Sequence, residues 1–215
     1  MRVLLINPNS TAGMTEHVAA QLQLHLGPLA HIVQRTASNG PPVIATQQAF
    51  VVAAQTANAV LQNTLREGEP FDKVLLACFG DPGLEAMRLT TPVPIIGLAQ
   101  ASMQASERMN KPYAVVTAGA AWAAILVQRL GQWGASALFK GVQVIDGTGL
   151  NVFNHPIEAM PNVQRAVDAA RQAGAEHIIL GGAVFAGYKA VMQANGMDTQ
   201  GLLDCAGCAA DVLKQ

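Results

Sequence analysis

The alternation of short apolar runs with longer segments of helical spacing constrains the fold of this chain most strongly. The runs Met1–Ile6, Phe71–Ala77 and Tyr113–Thr117 resemble strands that are buried in a sheet. Between them, Thr11–Leu24 and Thr46–Glu67 carry apolar residues at helical intervals. Because parallel strands need a crossover connection, usually a helix, this alternation predicts an α/β fold with parallel sheets.

The same alternation continues toward the C-terminus. Further strands are predicted at Ala30–Thr36, Pro94–Leu98, Val142–Ile145, His177–Leu180 and Gly201–Asp204. Further helices are predicted at Gly83–Arg88, Ala101–Met109, Ala120–Leu130, Pro161–Ala173 and Tyr188–Ala194, followed by a C-terminal helix. The segment Gly147–Met160 has a mixed pattern that favours neither helix nor strand.

Composition restricts the class of partner. Hydrophobic residues make up 51% of the 215 residues and charged residues 13%, with 13 Lys and Arg against 14 Asp and Glu. This is neither the composition of a disordered chain nor the basic excess of a nucleic-acid binder. We therefore expect a small, nearly neutral ligand and no nucleic acid. The low charge also predicts a covered surface and a homo-oligomer, and the length allows one domain or two small lobes.

The sequence also suggests a compartment. Its apolar runs are far shorter than the roughly 20 residues of a membrane span. The N-terminus has a single Arg2 and passes from a short apolar run into Asn7-Pro8-Asn9 without a cleavage site. Three cysteines fit no disulfide framework. We expect no membrane association, no export signal and a cytoplasmic protein.

An internal similarity connects the two halves of the chain. The run Val74–Cys78, with Gly83 five residues later, precedes the similar run Ile178–Gly182, with Gly187 five residues later, by 104 positions. The similarity suggests two related strand-turn-helix units and places Cys78 opposite Gly182. Such similarities are common among α/β proteins, so this one alone leaves duplication open.

Cys78 is the first candidate for chemistry. It follows an apolar strand and precedes the Gly/Pro-rich turn Phe79–Gly83, a position at which α/β proteins bind ligands. A nearby helix N-terminus is expected to lower the pKa of the thiol from about 8.5 toward neutrality, which would favour a thiolate base or nucleophile. The alternative is a small, buried structural cysteine.

Three polar turns follow other predicted strands. Asn7, Asn9 and Ser10 offer amides and a hydroxyl, and Thr117 offers a second hydroxyl. Alternatively, these residues cap helices or support turns. The glycines of Gly181–Ala183 allow backbone N–H groups to approach an oxygen closely, or allow tight packing.

Metal and nucleotide motifs are weak or absent. Cys205 and Cys208 have the spacing of a redox motif, but they open the last helix and have no second cysteine pair for zinc. The five histidines show no ligand spacing. No phosphate loop or dinucleotide fingerprint is present. We predict no metal site.

Several motifs together resemble the hydantoin racemase family within the aspartate/glutamate racemase superfamily. The most specific are Leu5–Thr11 (LINPNST), followed by Met14-Thr15, and Ala77–Leu84 (ACFGDPGL). The resemblance continues in order over nearly the whole chain through Gly40–Pro42, Pro94–Gly97, Val115–Thr117 and Leu180–Ala183.

The resemblance implies a fold and an activity. The expected fold is α/β with two pseudo-symmetric lobes, each a short parallel sheet flanked by helices, and an active site in the cleft. Residues 1–98 and about 202–215 would form the first lobe, and 99–201 the second. The family racemises 5-substituted hydantoins or related small carbon acids without a cofactor. One cysteine of each lobe serves as acid or base on one face of the stereocentre, and Cys78 matches the first of them.

The second cysteine of the family is missing here, because Gly182 occupies its position. This leaves three possibilities: another residue supplies the second proton, the enzyme uses only one face of the stereocentre, or activity is lost. Cys205 is the candidate replacement, since the family places the residue after Asp204 near the cleft and a helix N-terminus favours its thiolate; the alternative is a buried structural thiol. Arylmalonate decarboxylases of the same superfamily work with one cysteine, in the opposite lobe.

We therefore expect a racemase, with a one-cysteine lyase or a small-molecule binding protein as the alternative. No Arg or Lys adjoins the motifs, which favours a neutral imide ring over a dicarboxylate. The predicted catalytic residues are Cys78 and Cys205. The predicted substrate-binding residues are Asn7, Asn9, Ser10, Phe79, Gly80, Thr117, Gly182 and Ala183.

Overall fold

The computed structural model describes residues 1–215 and contains two four-stranded parallel sheets. The first sheet has the order β2-β1-β3-β4 and the second β6-β5-β7-β8. The strands are β1 (Arg2–Asn7), β2 (His31–Thr36), β3 (Lys73–Leu76), β4 (Ile95–Gly97), β5 (Tyr113–Ala118), β6 (Phe139–Ile145), β7 (His177–Leu180) and β8 (Leu202–Asp204). The predicted α/β class with two parallel sheets is confirmed.

Nine α-helices flank these sheets. They are α1 (Ala12–Leu26), α2 (Gln47–Glu67), α3 (Leu84–Arg88), α4 (Leu98–Arg108), α5 (Ala120–Gln132), α6 (Gly149–Asn154), α7 (Pro156–Gln172), α8 (Tyr188–Ala194) and α9 (Cys205–Leu213). A 3₁₀ turn spans Ala183–Phe185. No helix combines the length and the apolar character that crossing a membrane would require.

The central strands explain the apolar runs of the sequence. In β1, Val3–Ile6 are fully buried because β2 and β3 pair on either side and helices cover both faces. In the second sheet, β5 holds the same central place between β6 and β7.

The two halves repeat one local structure. Gly83 and Gly187, 104 residues apart, precede α3 and α8 in the left-handed conformation, with φ of 77° and 75°. Glycine adopts this conformation without the steric cost that a Cβ imposes. The sequence similarity between Val74–Cys78 and Ile178–Gly182 therefore corresponds to equivalent strand-turn-helix units, which bring Cys78 and Gly182 to equivalent ends of β3 and β7.

The lobes are joined through α4 and α9. Each follows the last strand of its own sheet, and the two helices pack against each other, while α9 also contacts α1. Because β8 pairs with β7, Leu202–Asp204 belong to the second sheet. The helix α9, which follows directly, is the part of the C-terminal segment that contacts α1 of the first lobe.

One predicted helix begins at the wrong residue. The sequence favoured a helix from Pro161, but α7 begins at Pro156 and continues through Pro161. Pro156 occupies the first turn, where a missing N–H costs nothing. The continuous buried face of Met160, Val163 and Val167 compensates for the hydrogen bond lost at Pro161.

Candidate functional site

A cavity of about 260 Å³ lies between the carboxyl ends of the two sheets. The first lobe contributes the β1–α1 turn, the loop 42–45 and the end of β3. The second lobe contributes the start of α5, the start of α6 and residues 181–185. Of the 24 lining residues, Cys78 alone has an ionisable side chain, so the walls carry no formal charge while it is a thiol.

Cys78 begins a turn that ends at Asp81, whose N–H donates to the Cys78 carbonyl at 3.1 Å. The side chain lines the cavity and the residue is only 8% exposed. Burial, together with the negative charge of Asp81, raises the pKa of the thiol. The predicted lowering of this pKa is therefore wrong. The helix α3 is only five residues long and begins six positions later at Leu84, so its dipole does not offset the burial.

Asp81 fixes the far end of this turn. It is fully buried with φ of 51°, and its carboxylate accepts hydrogen bonds from the N–H groups of Ala99 at 3.0 Å and Gln100 at 2.8 Å. Asp81 thus caps α4, and Gly97 is required because a Cβ there would overlap the carboxylate. Burial raises the pKa of Asp81 to about 7, although the two N–H bonds and the charge of Arg129 oppose the shift.

Asn7 and Asn9 have different positions in the first turn. Asn7 is buried outside the cavity lining, and its amide donates to Asn9 Oδ1 at 2.9 Å and to Thr15 Oγ1 at 3.0 Å. Asn9 Oδ1 also accepts from the N–H of Thr11 at 2.9 Å. Asn9 lines the cavity, and because its oxygen is occupied, its NH₂ group is left to donate to a ligand.

Three threonine hydroxyls line the cavity as acceptors. Thr11 donates to the Pro42 carbonyl at 2.9 Å, and Thr117 to the Gly181 carbonyl at 2.6 Å. Thr148 donates to Asn151 Oδ1 at 2.7 Å. Because each hydroxyl proton is already used within the protein, each oxygen offers lone pairs, which suit the N–H groups of a ligand.

Backbone donors reach the cavity from the second lobe. The first residues of α5 line it, Gly119 provides no side-chain cap, and the first turn has no acidic residue. The N–H groups of residues 120–122 are therefore free of a side-chain cap and suit ligand carbonyl oxygens. Thr11, just before α1, also lines the cavity, but its N–H already donates to Asn9 Oδ1.

Gly182 and Ala183 line the cavity on the second lobe. Gly182 has a φ of 166°, which is extended backbone that any residue adopts. A Cβ at this position would lie 3.1 Å from Cδ2 of Phe185, a contact that needs a small shift of the ring. The glycine is therefore not required by the backbone. It leaves open the space that a larger side chain would occupy.

Cys205 lies outside the cavity lining. It is fully buried at the start of α9, and its thiol donates to the Gly182 carbonyl at 3.5 Å. Burial and the Asp204 carboxylate raise its pKa well above the ordinary value. Asp204 also accepts from the N–H groups of Ala206 and Gly207 at the start of α9. The predicted preference for a thiolate at Cys205 is wrong, because burial outweighs the helix N-terminus and a carboxylate already caps it.

The structure brings together six of the predicted site residues and leaves four outside. Cys78, Asn9, Phe79, Thr117, Gly182 and Ala183 line the cavity, while Asn7, Ser10, Gly80 and Cys205 do not. Gly80 is near it, but Trp122 covers it, so closely that a Cβ on Gly80 would lie 2.6 Å from the indole. Sequence reasoning missed Trp122, Ile44 and Thr148 in the lining, since each lies far along the chain from the motifs.

No group of three or more His, Cys, Asp or Glu side chains is placed to hold a metal ion. The polar groups of the cavity suit a neutral organic ligand better than a cation, because the donors come from backbone N–H groups and an amide, and the hydroxyl acceptors carry no charge.

The model of the Asp/Glu/Hydantoin racemase family matches residues 3–212. This chain belongs to that family. It is 31% identical to a hydantoin racemase of Paenarthrobacter aurescens over 192 residues, which cover 87% of this chain and 80% of that protein. It is also 31% identical to a hydantoin racemase of Rhizobium meliloti, covering 84% of this chain and 75% of the relative.

Solved structures agree with this membership of the Asp/Glu/Hydantoin racemase family. An allantoin racemase from Klebsiella pneumoniae superposes with a TM-score of 0.88 at 25% identity, covering 100% of this chain and 86% of the other. The resemblance inferred from LINPNST and ACFGDPGL is thereby confirmed, together with the two-domain α/β architecture.

Proposed function

We propose that the protein is a cofactor-independent racemase of 5-substituted hydantoins or related small carbon acids, with Cys78 as its acid/base. One observation carries the proposal: Cys78 is the single ionisable side chain on the wall of an otherwise neutral cavity. The two hydantoin racemases at 31% identity support the substrate class.

The polar groups of the cavity fit a ring that alternates carbonyl and N–H groups. The Asn9 amide and the N–H groups that begin α5 would donate to carbonyl oxygens. The lone pairs of Thr11, Thr117 and Thr148 would accept from ring N–H groups. When a thiolate removes the proton beside a carbonyl, negative charge moves to the carbonyl oxygen, where N–H donors stabilise it.

The raised pKa of Cys78 defines the resting state. The side chain is a thiol at neutral pH, so deprotonation of a substrate proceeds through a minor but strongly basic thiolate. The thiolate takes the proton from carbon and becomes a thiol, and the carbanion is left as an enolate. Return of that proton to the same face restores the starting enantiomer. Inversion requires a second acid on the opposite face.

A second candidate is proton transfer on one face of the substrate only, as in a one-cysteine lyase. The cavity wall opposite Cys78 favours this candidate. Gly182 offers no proton there, and Cys205 lies outside the lining with Gly182 backbone beside it. An enzyme with this wall would exchange a proton on one face of the carbon, or would protonate on that face the carbanion left when a carboxylate departs as CO₂, and neither step inverts a stereocentre. A protein that binds without turnover is the remaining alternative.

Enantiopure 5-benzylhydantoin in D₂O tests these candidates. Loss of optical rotation measures inversion, and proton NMR of C5 measures deuterium entry. Inversion with exchange supports the racemase. Exchange without inversion supports one-sided chemistry, and a ligand-induced rise in Tm without either supports a binding protein.

Cys78→Ala is the matched test of the thiol, with Cys208→Ala as control, because Cys208 is also buried and lies outside the cavity lining. Cys78→Ala should abolish exchange while lowering the free energy of unfolding by only about 1–2 kcal/mol. Exchange at the wild-type rate in a folded Cys78→Ala protein would refute the assignment.

A further inference from the structure

We propose that Arg129, on α5 of the second lobe, is a positioning residue that holds the turn Cys78–Asp81 of the first lobe from across the cleft. The contacts that hold the two lobes together would then also orient the Cys78 thiol. Only the kinetic readout below rests on the proposed function.

The guanidinium of Arg129 contacts the first lobe at two points. Its Nε–H donates to the Gly80 carbonyl at 3.3 Å, inside the turn that begins with Cys78. Its Nη2 lies 3.2 Å from both carboxylate oxygens of Glu85 at the start of α3. Trp133 adds a bond from Nε1 to Glu85 Oε1 at 3.0 Å. Side chains of one lobe therefore hold both the backbone and a side chain of the other.

Arg129 is held more firmly than an ordinary surface cation. Its side chain is only 16% exposed. The guanidinium carbon lies 4.8 Å from the Trp133 ring centre and 5.8 Å from that of Phe50. Stacking on two aromatic rings limits the rotamers of the side chain and shields its hydrogen bonds from water.

The turn is fixed at two separate places. Asp81 is bound by the N–H groups that begin α4, and the Gly80 carbonyl is bound by Arg129. Trp122, one further contact from α5, covers Gly80 directly. Loss of Arg129 would leave the Asp81 end anchored but would release the segment between it and Cys78.

The same helix also forms the facing wall of the cavity. Residues 120–122 at the start of α5 line it, and Arg129 lies on the last turns of that continuous helix. Because a helix is stiff over this length, the contact at Gly80 sets the separation between the Cys78 thiol and the N–H donors of α5. Arg129 itself is not part of the lining, so it acts on the substrate only through this geometry.

Cysteine alkylation by iodoacetamide tests the inference without any substrate. Trypsin releases Cys78 in peptide 74–88 and both other cysteines in peptide 190–214. Mass spectrometry therefore follows the alkylation of Cys78 separately from that of the other two cysteines. Arg129→Gln should speed alkylation of Cys78 about tenfold, as expected for loss of a charge-assisted hydrogen bond that limits local opening. Cys205 and Cys208 should keep their wild-type rates.

Arg165→Gln is the control, because Arg165 is exposed on α7 and its guanidinium hydrogen-bonds only to Asn162. An unchanged Cys78 rate in Arg129→Gln would overturn the inference. So would an equal rise for all three cysteines, which would indicate global destabilisation. If Arg129→Gln does not fold, Arg129→Lys serves instead: it keeps the charge but loses the planar fork, and it should give an intermediate Cys78 rate.

Kinetics on a hydantoin supply a second readout. Arg129→Gln should lower kcat with little change in KM, and Arg129→Lys should restore part of kcat. If the wild type turns over no hydantoin, the proposed function fails while the alkylation result still decides the role of Arg129. If the wild type is active and Arg129→Gln matches it in alkylation, kcat and KM, this inference fails and the proposed function stands.

Discussion

A single buried thiol in a neutral cavity ionises less readily than a thiol at an exposed helix N-terminus. For Cys78 the cost of burying a charge outweighs any favourable dipole, and the carboxylate of Asp81 adds to that cost. The position of Cys78 was predictable from its motif. Its ionisation was not, because burial depends on residues such as Trp122 and Phe50 that close over the turn from distant parts of the chain.

The raised pKa of Cys78 makes the reactivity of its thiol depend on pH. Because its pKa is raised, the thiolate fraction stays small and grows about tenfold per pH unit below that pKa. The rates of Cys78 alkylation and of substrate exchange should therefore continue to rise between about pH 7 and pH 9. The first rate is measured by quenching the alkylation reaction at timed intervals and quantifying the alkylated fraction of tryptic peptide 74–88. A plateau near pH 7 would show that the thiol ionises near neutrality.

Substitutions of Asn7 and Asn9 should have different effects, on stability and on substrate binding respectively. Asn7→Ala removes a buried amide that bonds Asn9 and Thr15, so the free energy of unfolding should fall by about 2 kcal/mol. Asn9→Ala removes the donor that lines the cavity and should raise KM about tenfold, with less effect on stability. Urea denaturation and initial rates measure the two effects. Equal loss of stability in both variants would contradict the division of roles.

At the scale of elements, the strands and most helices were predictable because local patterns determine them. The run Val3–Ile6 has to be buried on both faces, and β1 lies at the centre of its sheet. The start of α7 was not predictable, because a proline within a helix is normally unfavourable and only the tertiary burial of its apolar face shows why it is tolerated. The capping of α4 by Asp81, 17 residues upstream of its first residue, likewise has no local signature.

This cap should make the stability of the protein depend on pH. The folded state keeps the Asp81 proton up to about pH 7, whereas the unfolded chain releases it near the ordinary value of 3.8. Between these values unfolding releases a proton, so the free energy of unfolding should fall as pH rises from about 5 to 7, by roughly 1 kcal/mol per pH unit. Asp81→Asn cannot titrate and should lack this part of the slope.

Urea denaturation at pH 5, 6, 7 and 8 measures the slope for wild type and variant. Asp146→Asn, which makes the same substitution at an exposed position, is the control. A slope in Asp81→Asn equal to that of the wild type would show that Asp81 is already ionised below pH 5.

At the scale of the whole molecule, two lobes of the same topology meet around one cavity with unequal chemistry. The carboxyl ends of β3 and β7 are equivalent, yet one carries Cys78 and the other leads to Gly182. The packing of α9 on α1 and α4 and the contacts of Arg129 keep the two lobes together. The internal similarity of the sequence predicted that Cys78 and Gly182 occupy equivalent positions in the two halves. The exclusion of Cys205 from the cavity required the three-dimensional structure.

The missing second thiol can be restored by substitution at residue 182. Gly182→Cys places a second acid on the opposite wall, and the extended φ of 166° imposes no backbone strain. The Phe185 ring, 3.1 Å from the new Cβ, has to move by a few tenths of an ångström. Since one added acid/base typically contributes roughly 10²–10⁴-fold, inversion should rise strongly relative to one-sided exchange of deuterium. Polarimetry and NMR on one sample give that ratio, after thermal denaturation has shown that the variant folds.

Adding Cys78→Ala to Gly182→Cys should abolish the gain, because inversion needs a thiol on each face. Cys205→Ala should leave the inversion rate of the wild type unchanged, given its position outside the cavity. If a folded Gly182→Cys protein gains no inversion, the thiol does not reach the stereocentre, and the walls of the cavity do not face each other across the substrate as the two-lobed symmetry requires.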